Sequence, residues 1–166
     1  MSSDTRHTVE VLLEYAETQE CDRADEILDA MEKLQLGGMK IVNVEPISTL
    51  TNLSELVLSF NEIEDIQPLS TLTQLTWLNL AENKITDVQP LATLTNLTGL
   101  SLLSNQITEV EPLSSLTGLE LLHLQFNQIT TVESLSTLTN LEVLNLFSNP
   151  LLEQRCPVQP NSICQF

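Results

Sequence analysis

Basic side chains are scarce in this sequence. It holds 6 Lys and Arg against 23 Asp and Glu, for a formal net charge of −17 over 166 residues. Nucleic-acid binding needs clustered Lys and Arg against phosphates, and anionic membranes attract basic patches, so we expect neither partner. The acidic excess fits two readings, plain solubility of a leucine-rich chain or attraction of a basic protein partner.

Long apolar runs are also missing. No stretch approaches the roughly 18 residues of a membrane-spanning helix, so we expect no membrane insertion. The N-terminus lacks a basic segment followed by an apolar one, the pattern typical of a secretory signal peptide. The residues alone are compatible with a cytosolic protein, a mature exported product or an excised segment.

Residues that build catalytic and cofactor sites are few, with 4 Gly, 3 Cys and 2 His. Gly37 and Gly38 do not form the longer glycine pattern of a phosphate-binding loop. No Ser or Cys lies in a nucleophile motif that His123 could serve as a base. Acidic residues recur one or two per repeat, too dispersed for calcium. We therefore expect no enzyme activity, no cofactor and no metal.

Repetition is what the sequence has in abundance. The segment LTQLTWLNLAENKITDVQPLAT, residues 72–93, recurs with a period of 22 residues. Copies begin at positions 28, 50, 72, 94, 116 and 138; the first is degenerate and the last is truncated. A period in this range indicates stacked structural repeats. We predict one domain over 1–166, with six repeats over 28–152.

Each repeat has one apolar pattern. In the third copy, Leu78 and Leu80 are two residues apart, which predicts a short strand with both leucines on one side. The other apolar residues are three to five apart, which fits a coil that sends each side chain into a shared interior. One coil cannot cover its own apolar face, so neighbouring coils must cover one another.

Two further columns of residues punctuate the repeat. An amide is costly in a core unless hydrogen-bonded, so we predict a ladder in which each Asn bonds the backbone of its own coil and the next. This column contains Asn61, Asn83, Asn105, Asn127 and Asn149, with Met39 in the first copy. Proline cannot serve a central strand, so a second column is predicted in turns or 3₁₀ segments on the opposite, convex side. It contains Pro46, Pro68, Pro90 and Pro112, with Ser134 as the exception.

The pattern LxxLxLxxNxI, followed by IxPLxxL with a 22-residue period, resembles the leucine-rich repeat in its bacterial, internalin-like form. The resemblance covers about residues 28–152. It implies an α/β solenoid, a right-handed superhelix with a parallel β-sheet on its concave face. It also implies that this face binds a ligand.

The ends of the chain differ from the repeats and are interpreted as caps. Residues 1–31 are predicted to be mainly helical after a polar lead-in over 1–6, with Asp22 as the N-cap of a second helix. The tail 153–166 is predicted to be a C-terminal cap, and Cys156 and Cys164 either form a disulfide or are two buried thiols. For Cys21 three alternatives stay open: it pairs with a cysteine outside this sequence, it is a free thiol, or it packs in the helix core.

Both ends also resemble the caps of a group of bacterial leucine-rich proteins. The segment TRHTVEVLL at 5–13 carries this likeness at the N-terminus, and the tail carries it at the C-terminus. Repeats of that group are often exported, so the resemblance favours an extracytoplasmic location over a cytoplasmic one.

The strand positions beside the inward leucines are predicted to face out of the concave side. These positions vary from copy to copy and hold four of the chain's six aromatic residues, which folding does not require there. Exposed aromatics commonly anchor protein interfaces. For Phe60 and Phe126, packing on neighbouring coils is the alternative. The predicted partner-binding residues are Val57, Phe60, Trp77, Asn79, Leu103, Leu121, His123, Phe126, Val143 and Phe147.

The resulting hypothesis is a non-catalytic protein-interaction module with an adaptor or regulatory role. His123 is interpreted as a contact or solvent-facing residue, with a pH-sensitive contact as the alternative. The rival hypothesis is a structural one, either a self-associating solenoid or an exported surface spacer. A homo-oligomer is compatible with the sequence but is not the favoured reading.

Overall fold

Two short helices precede a seven-stranded parallel sheet in the computed structural model, which describes residues 1–166. The strands follow one another in sheet order, so each coil lies directly on the one before it. The helices are α1 (Ser3–Tyr15) and α2 (Cys21–Asp29). The strands are β1 (Lys33–Gln35), β2 (Glu55–Val57), β3 (Trp77–Asn79), β4 (Gly99–Ser101), β5 (Leu121–His123), β6 (Val143–Asn145) and β7 (Cys164–Gln165).

The register of the sheet follows the sequence period. Leu56 pairs with Leu78, and Leu78 pairs with Leu100 in the next coil. On the opposite side, five coils carry a short 3₁₀ segment, and four of these have a predicted proline as their second residue. The segments are Glu45–Ile47, Gln67–Thr71, Gln89–Thr93, Glu111–Ser115 and Glu133–Thr137. The predicted solenoid, with its parallel sheet and convex 3₁₀ segments, is confirmed.

The core is a continuous column of aliphatic side chains between the sheet and the convex segments. All seven apolar residues of the third copy are at most 1% exposed. They are Leu72, Leu75, Leu78, Leu80, Ile85, Val88 and Leu91. Each coil is therefore stabilised by the apolar faces of the coils above and below it.

The asparagine ladder exists, but its direction differs from the prediction. Asn105 donates from Nδ2 to the carbonyl oxygens of Leu102, in its own coil, and Leu80, in the preceding coil, at 3.1 and 3.0 Å. Its Oδ1 accepts from the Ile85 N–H at 3.0 Å. Asn61, Asn83, Asn127 and Asn149 repeat these contacts. The amides therefore bond backwards along the chain, whereas the prediction placed their partners in the next coil.

The N-terminal cap is helical as predicted, although both helix starts differ. α1 begins at Ser3 within the expected polar lead-in, because the Ser2 side chain accepts a hydrogen bond from the Thr5 N–H at 3.1 Å. α2 begins at Cys21 with Glu20 as N-cap and no side-chain cap, so the assignment of Asp22 was wrong. Cys21 is a free, exposed thiol.

The cap covers the first coil through polar as well as apolar contacts. The Thr8 hydroxyl donates to the Asn43 carbonyl at 2.6 Å, and His7 Nε2 lies 2.7 Å from the carbonyl oxygen of Met39. Leu12 and Leu28 of the helices join the core. The first coil is thus tied to the helices at the position where later coils carry an asparagine.

The C-terminal cap contributes a strand that the sequence did not predict. The tail 153–166 was predicted only as a cap, but its strand β7 (Cys164–Gln165) pairs with β6 and extends the sheet beyond the sixth repeat. The Leu146 N–H donates to the Gln165 carbonyl at 2.7 Å. A disulfide joins Cys156 to Cys164, with 5.7 Å between their Cα atoms. The irregular tail is therefore closed onto the last coil.

Candidate functional site: the concave face

The concave face is formed by the side chains on either side of each buried strand leucine. Successive residues of a strand point to opposite sides of the sheet. Leu78 is fully buried, whereas Trp77 and Asn79 beside it are partly exposed. The same alternation places Val57, Leu121, His123 and Val143 partly exposed on this face. Leu103, which follows β4, is also partly exposed.

Trp77 lies across the face instead of projecting from it. A Cβ added to Gly99 on β4 would overlap Cε3 and Cζ3, the outer edge of the six-membered ring of Trp77. Gly99 is the cross-strand partner of Trp77. A glycine inside a strand often marks close approach by another group, and here that group is an indole ring from the same sheet.

Three phenylalanines are the most exposed aromatics of the face. Phe60, Phe126 and Phe147 are 67%, 51% and 52% exposed. The rings of Phe126 and Phe147 meet edge to face, with centroids 5.7 Å apart and an interplanar angle of 76°. Such an arrangement is favourable for aromatic pairs. Phe60 has no aromatic neighbour of this kind, and its exposure does not fit packing on the next coil.

The backbone at two of these phenylalanines is left-handed. Phe60 and Phe126 both have φ of +58°, and Glu82, Ser104 and Ser148 occupy the same column with positive φ. A bulky residue in this region is uncommon, and left-handed backbone costs an L-residue roughly 1–2 kcal/mol. The fold therefore holds these two rings at a conformational penalty.

A strip of polar side chains runs along the middle of the face. The Oδ1 atoms of Asn79 and Asn145 accept from the N–H groups of Ala81 and Phe147 at 3.0 and 3.2 Å, so they brace the turn that follows each strand. His123 Nδ1 and Gln125 Oε1 are buried without a hydrogen-bond partner. Desolvation by burial lowers the pKa of His123 below its usual value.

Several acidic residues outside the face have structural roles. The Oδ1 atoms of Asp65 and Asp87 accept from the N–H groups of Gln67 and Gln89 at 2.8 Å, which caps two 3₁₀ segments. No group of three or more His, Cys, Asp and Glu side chains is placed to hold a metal ion. No helix has the length and apolar character needed to cross a membrane.

The sequence reasoning missed four residues of the site. Gly99 makes room for Trp77, and Gln125 carries an unpaired oxygen. Glu120 and Glu142 border the groove beside Trp77. The strand-interior glycine was the one available signal, because glycine is disfavoured there without a reason.

A family model described as leucine-rich repeats (two copies) matches residues 73–115 and 117–154. The fold and these matches define a leucine-rich-repeat protein. A sequence comparison with curated proteins finds no match.

Similar solved structures show which type of leucine-rich-repeat protein this is. The chain is similar to internalin C2 of Listeria monocytogenes, with 32% identity and a TM-score of 0.80 over 89% of this chain. It is also similar to the internalin inlF of the same bacterium, with 30% identity and a TM-score of 0.70 over 89% of this chain. A leucine-rich-repeat protein of Leptospira interrogans shares 32% identity and a TM-score of 0.71 over 76% of this chain. The chain is a leucine-rich-repeat protein of the bacterial, internalin-like type.

The chain is shorter than these proteins. It spans 66% of the length of internalin C2, 51% of inlF and 34% of the Leptospira protein. Leucine-rich-repeat proteins are generally non-enzymatic, and their fold is a common scaffold for protein–protein interaction through an extended concave surface.

Proposed function

We propose that this chain is a non-catalytic binding module whose concave face holds a protein partner in an adaptor or regulatory role. One observation carries the proposal. Three large aromatic rings are more than half exposed on one face, and two of them occupy left-handed backbone. Neither core packing nor backbone preference favours these residues there, whereas exposed aromatics supply much of the binding energy of protein interfaces.

Buried polar atoms on the same face support the proposal. Leaving a buried acceptor unpaired costs roughly 1–3 kcal/mol. His123 Nδ1 and Gln125 Oε1 belong to partly exposed side chains of this face, and rotation of either side chain toward a donor of the partner would remove this penalty on binding. Because its pKa is lowered, His123 is neutral near pH 7 and can accept a hydrogen bond.

We further propose an extracytoplasmic location. The disulfide between Cys156 and Cys164 supports it, because structural disulfides persist in oxidising compartments. The internalin-like type of the repeat supports it as well.

The test compares the wild type with Trp77→Ala and Phe147→Ala. Trp77 is partly exposed and Phe147 is exposed, so melting temperatures should fall by only a few degrees, from lost contacts such as the edge-to-face pair, while capture of protein partners from the native source falls. Leu152→Ala is the matched control, because Leu152 is an exposed aliphatic at the end of the last repeat, outside the strands of the face. Large losses of stability with unchanged capture would instead assign the two rings to the core and refute the proposal.

A second copy of the chain is the alternative occupant, since exposed Phe126 and Phe147 also suit self-association. Light scattering over a range of concentrations tests this. A concentration-independent monomer removes the alternative. A dimer that Phe147→Ala abolishes replaces the partner with a second copy.

A further inference from the structure

A groove lies along the edge of the concave face where the strands begin. It has a volume of about 250 Å³. Trp77 and Gly99 line one end, and Leu121 and Val143 continue the apolar floor across β5 and β6. Glu120 and Glu142, which precede those strands, border it and are exposed. These residues, together with Thr98, are called the Trp77 groove below.

The two glutamates of the groove stand on adjacent coils. The Glu142 N–H donates to the Glu120 carbonyl at 2.7 Å. Adjacent parallel strands are about 4.8 Å apart, and like charges at this spacing repel. Neither carboxylate takes part in a salt bridge, because the two salt bridges of the structure are Lys33–Glu55 and Lys84–Glu62.

The same edge shows how such a carboxylate is neutralised. On β1 and β2, Lys33 Nζ contacts Glu55 Oε1 at 2.6 Å across neighbouring strands. No equivalent basic residue serves the groove, since residues 94–152 contain five glutamates and no Lys or Arg. The charge that would complete the groove is therefore absent from this part of the chain.

We propose that the Trp77 groove receives an arginine or lysine side chain from a basic segment of the protein partner. The inference rests on the proposed function and specifies the chemistry of the partner. The aliphatic stem of such a side chain packs on Leu121 and Val143 against the wall formed by Trp77, as long cationic side chains do on apolar surfaces. Its charged head lies between Glu120 and Glu142, where one cation serves both carboxylates.

The overall charge of the chain acts in the same direction. A net charge of −17 accelerates the approach of a basic segment, and the groove then selects where its cation is held. The three exposed phenylalanines bind the apolar part of the same segment.

The test selects binders from a random 12-residue peptide display library on the intact protein. Peptides retained by the wild type should be enriched in Arg or Lys at one position. That enrichment should disappear on a Glu120→Gln, Glu142→Gln double variant. The matched control is Glu109→Gln with Glu111→Gln, which removes the same charge from exposed residues outside the concave face.

Affinity of a selected, labelled peptide is then measured by fluorescence anisotropy. Loss of two partly exposed charge pairs should weaken binding about five- to tenfold in the Glu120/Glu142 variant and less than twofold in the control. In the Glu120/Glu142 variant, peptide affinity should also fall less steeply with rising salt than in the wild type. Trp77 is the only tryptophan, so its fluorescence should change when the peptide enters the groove.

Each outcome separates this inference from the proposed function. Equal losses in the two charge variants, no loss in either, or no basic enrichment would overturn the groove as a cation site. If Phe147→Ala still abolishes peptide binding in those cases, the concave face remains the binding surface. Peptides that bind the Trp77→Ala, Phe147→Ala double variant as tightly as wild type would refute both.

Discussion

The left-handed backbone at Phe60 predicts that removing this ring makes the protein more stable. Asparagine tolerates left-handed φ values far better than phenylalanine does. Phe60→Asn therefore relieves the strain at φ of +58° without altering the course of the chain. An increase in stability on deleting an aromatic residue is unusual, and it is expected here because Phe60 has left-handed backbone and is largely exposed.

The size of the effect follows from two opposing terms. Relief of left-handed strain is worth roughly 1–2 kcal/mol. Phe60 is 67% exposed, so about a third of its area is buried; since full burial of a Phe side chain is worth about 1.5–3 kcal/mol, the lost packing is roughly 0.5–1 kcal/mol. The net gain therefore lies between about 0 and 1.5 kcal/mol, which corresponds to a rise in Tm of up to roughly 6 °C for a chain of this size.

The assay is thermal and urea unfolding followed by circular dichroism, with binding measured in parallel. Phe147→Asn is the first control; its φ is not positive and it loses the edge-to-face contact, so it should be less stable than wild type. Ser104→Asn is the second control, in the same left-handed column without a ring. If Phe60→Asn destabilises the protein as much as Phe147→Asn does, Phe60 is a packing residue and the reasoning fails.

Three further predictions concern the scaffold and its response to pH. Asn105→Ala should lower the free energy of unfolding by roughly 3–6 kcal/mol, because three buried backbone groups lose their hydrogen-bond partner. Asn79→Ala loses one surface contact and should lower it by less than about 1 kcal/mol in the same urea titration. Similar losses in the two variants would contradict the asparagine ladder. Cys164→Ser should lower the free energy of unfolding by up to about 2–3 kcal/mol, because the unfolded chain regains the entropy that a disulfide across eight residues removes. The β7 amides should then exchange hydrogen faster. Cys21→Ser, at an exposed free thiol, should change neither quantity. Burial lowers the pKa of His123, so the unfolded chain takes up a proton at a higher pH than the folded chain does. The wild type should therefore lose stability relative to His123→Gln as pH falls through about 6.5. Melting temperatures of the two proteins that change equally between pH 7.5 and pH 5.5 would contradict this.

The repeated part of the fold was predictable because each position recurs under the same constraint. Leu78 and Leu80 are separated by one residue in every copy, and the core requires that separation in every coil. The existence of the asparagine ladder followed from the expense of a buried amide. The direction of the ladder could not be predicted, because the preceding coil and the following coil are both one period away from Asn105 in sequence. Only the path of the chain decides which of the two coils the amide contacts.

The irregular parts were predicted less well. No periodicity marks β7, whose two residues are held by pairing with β6 and by the disulfide instead of by a local pattern. The predicted first residues of both helices were wrong, because Ser2 caps α1 within the polar lead-in and no capping side chain marks the beginning of α2.

The candidate site divides in the same way. Its outward columns could be read from the period, and Trp77 and Phe147 were found on them. The contact of Trp77 with Gly99 depends on a side-chain orientation that no column reveals. The pairing of Phe126 with Phe147 depends on a left-handed turn that Glu82, Ser104 and Ser148 occupy in other coils.

The backward direction of the asparagine contacts makes each coil depend on the coil that follows it in sequence. The Ile41 N–H is satisfied by Asn61 and the Ile63 N–H by Asn83, in each case twenty residues further along the chain. A coil whose successor is missing would therefore leave these backbone groups to solvent. Each coil is completed only by the one that follows it, and the tail that carries β7 and the disulfide covers the last of them.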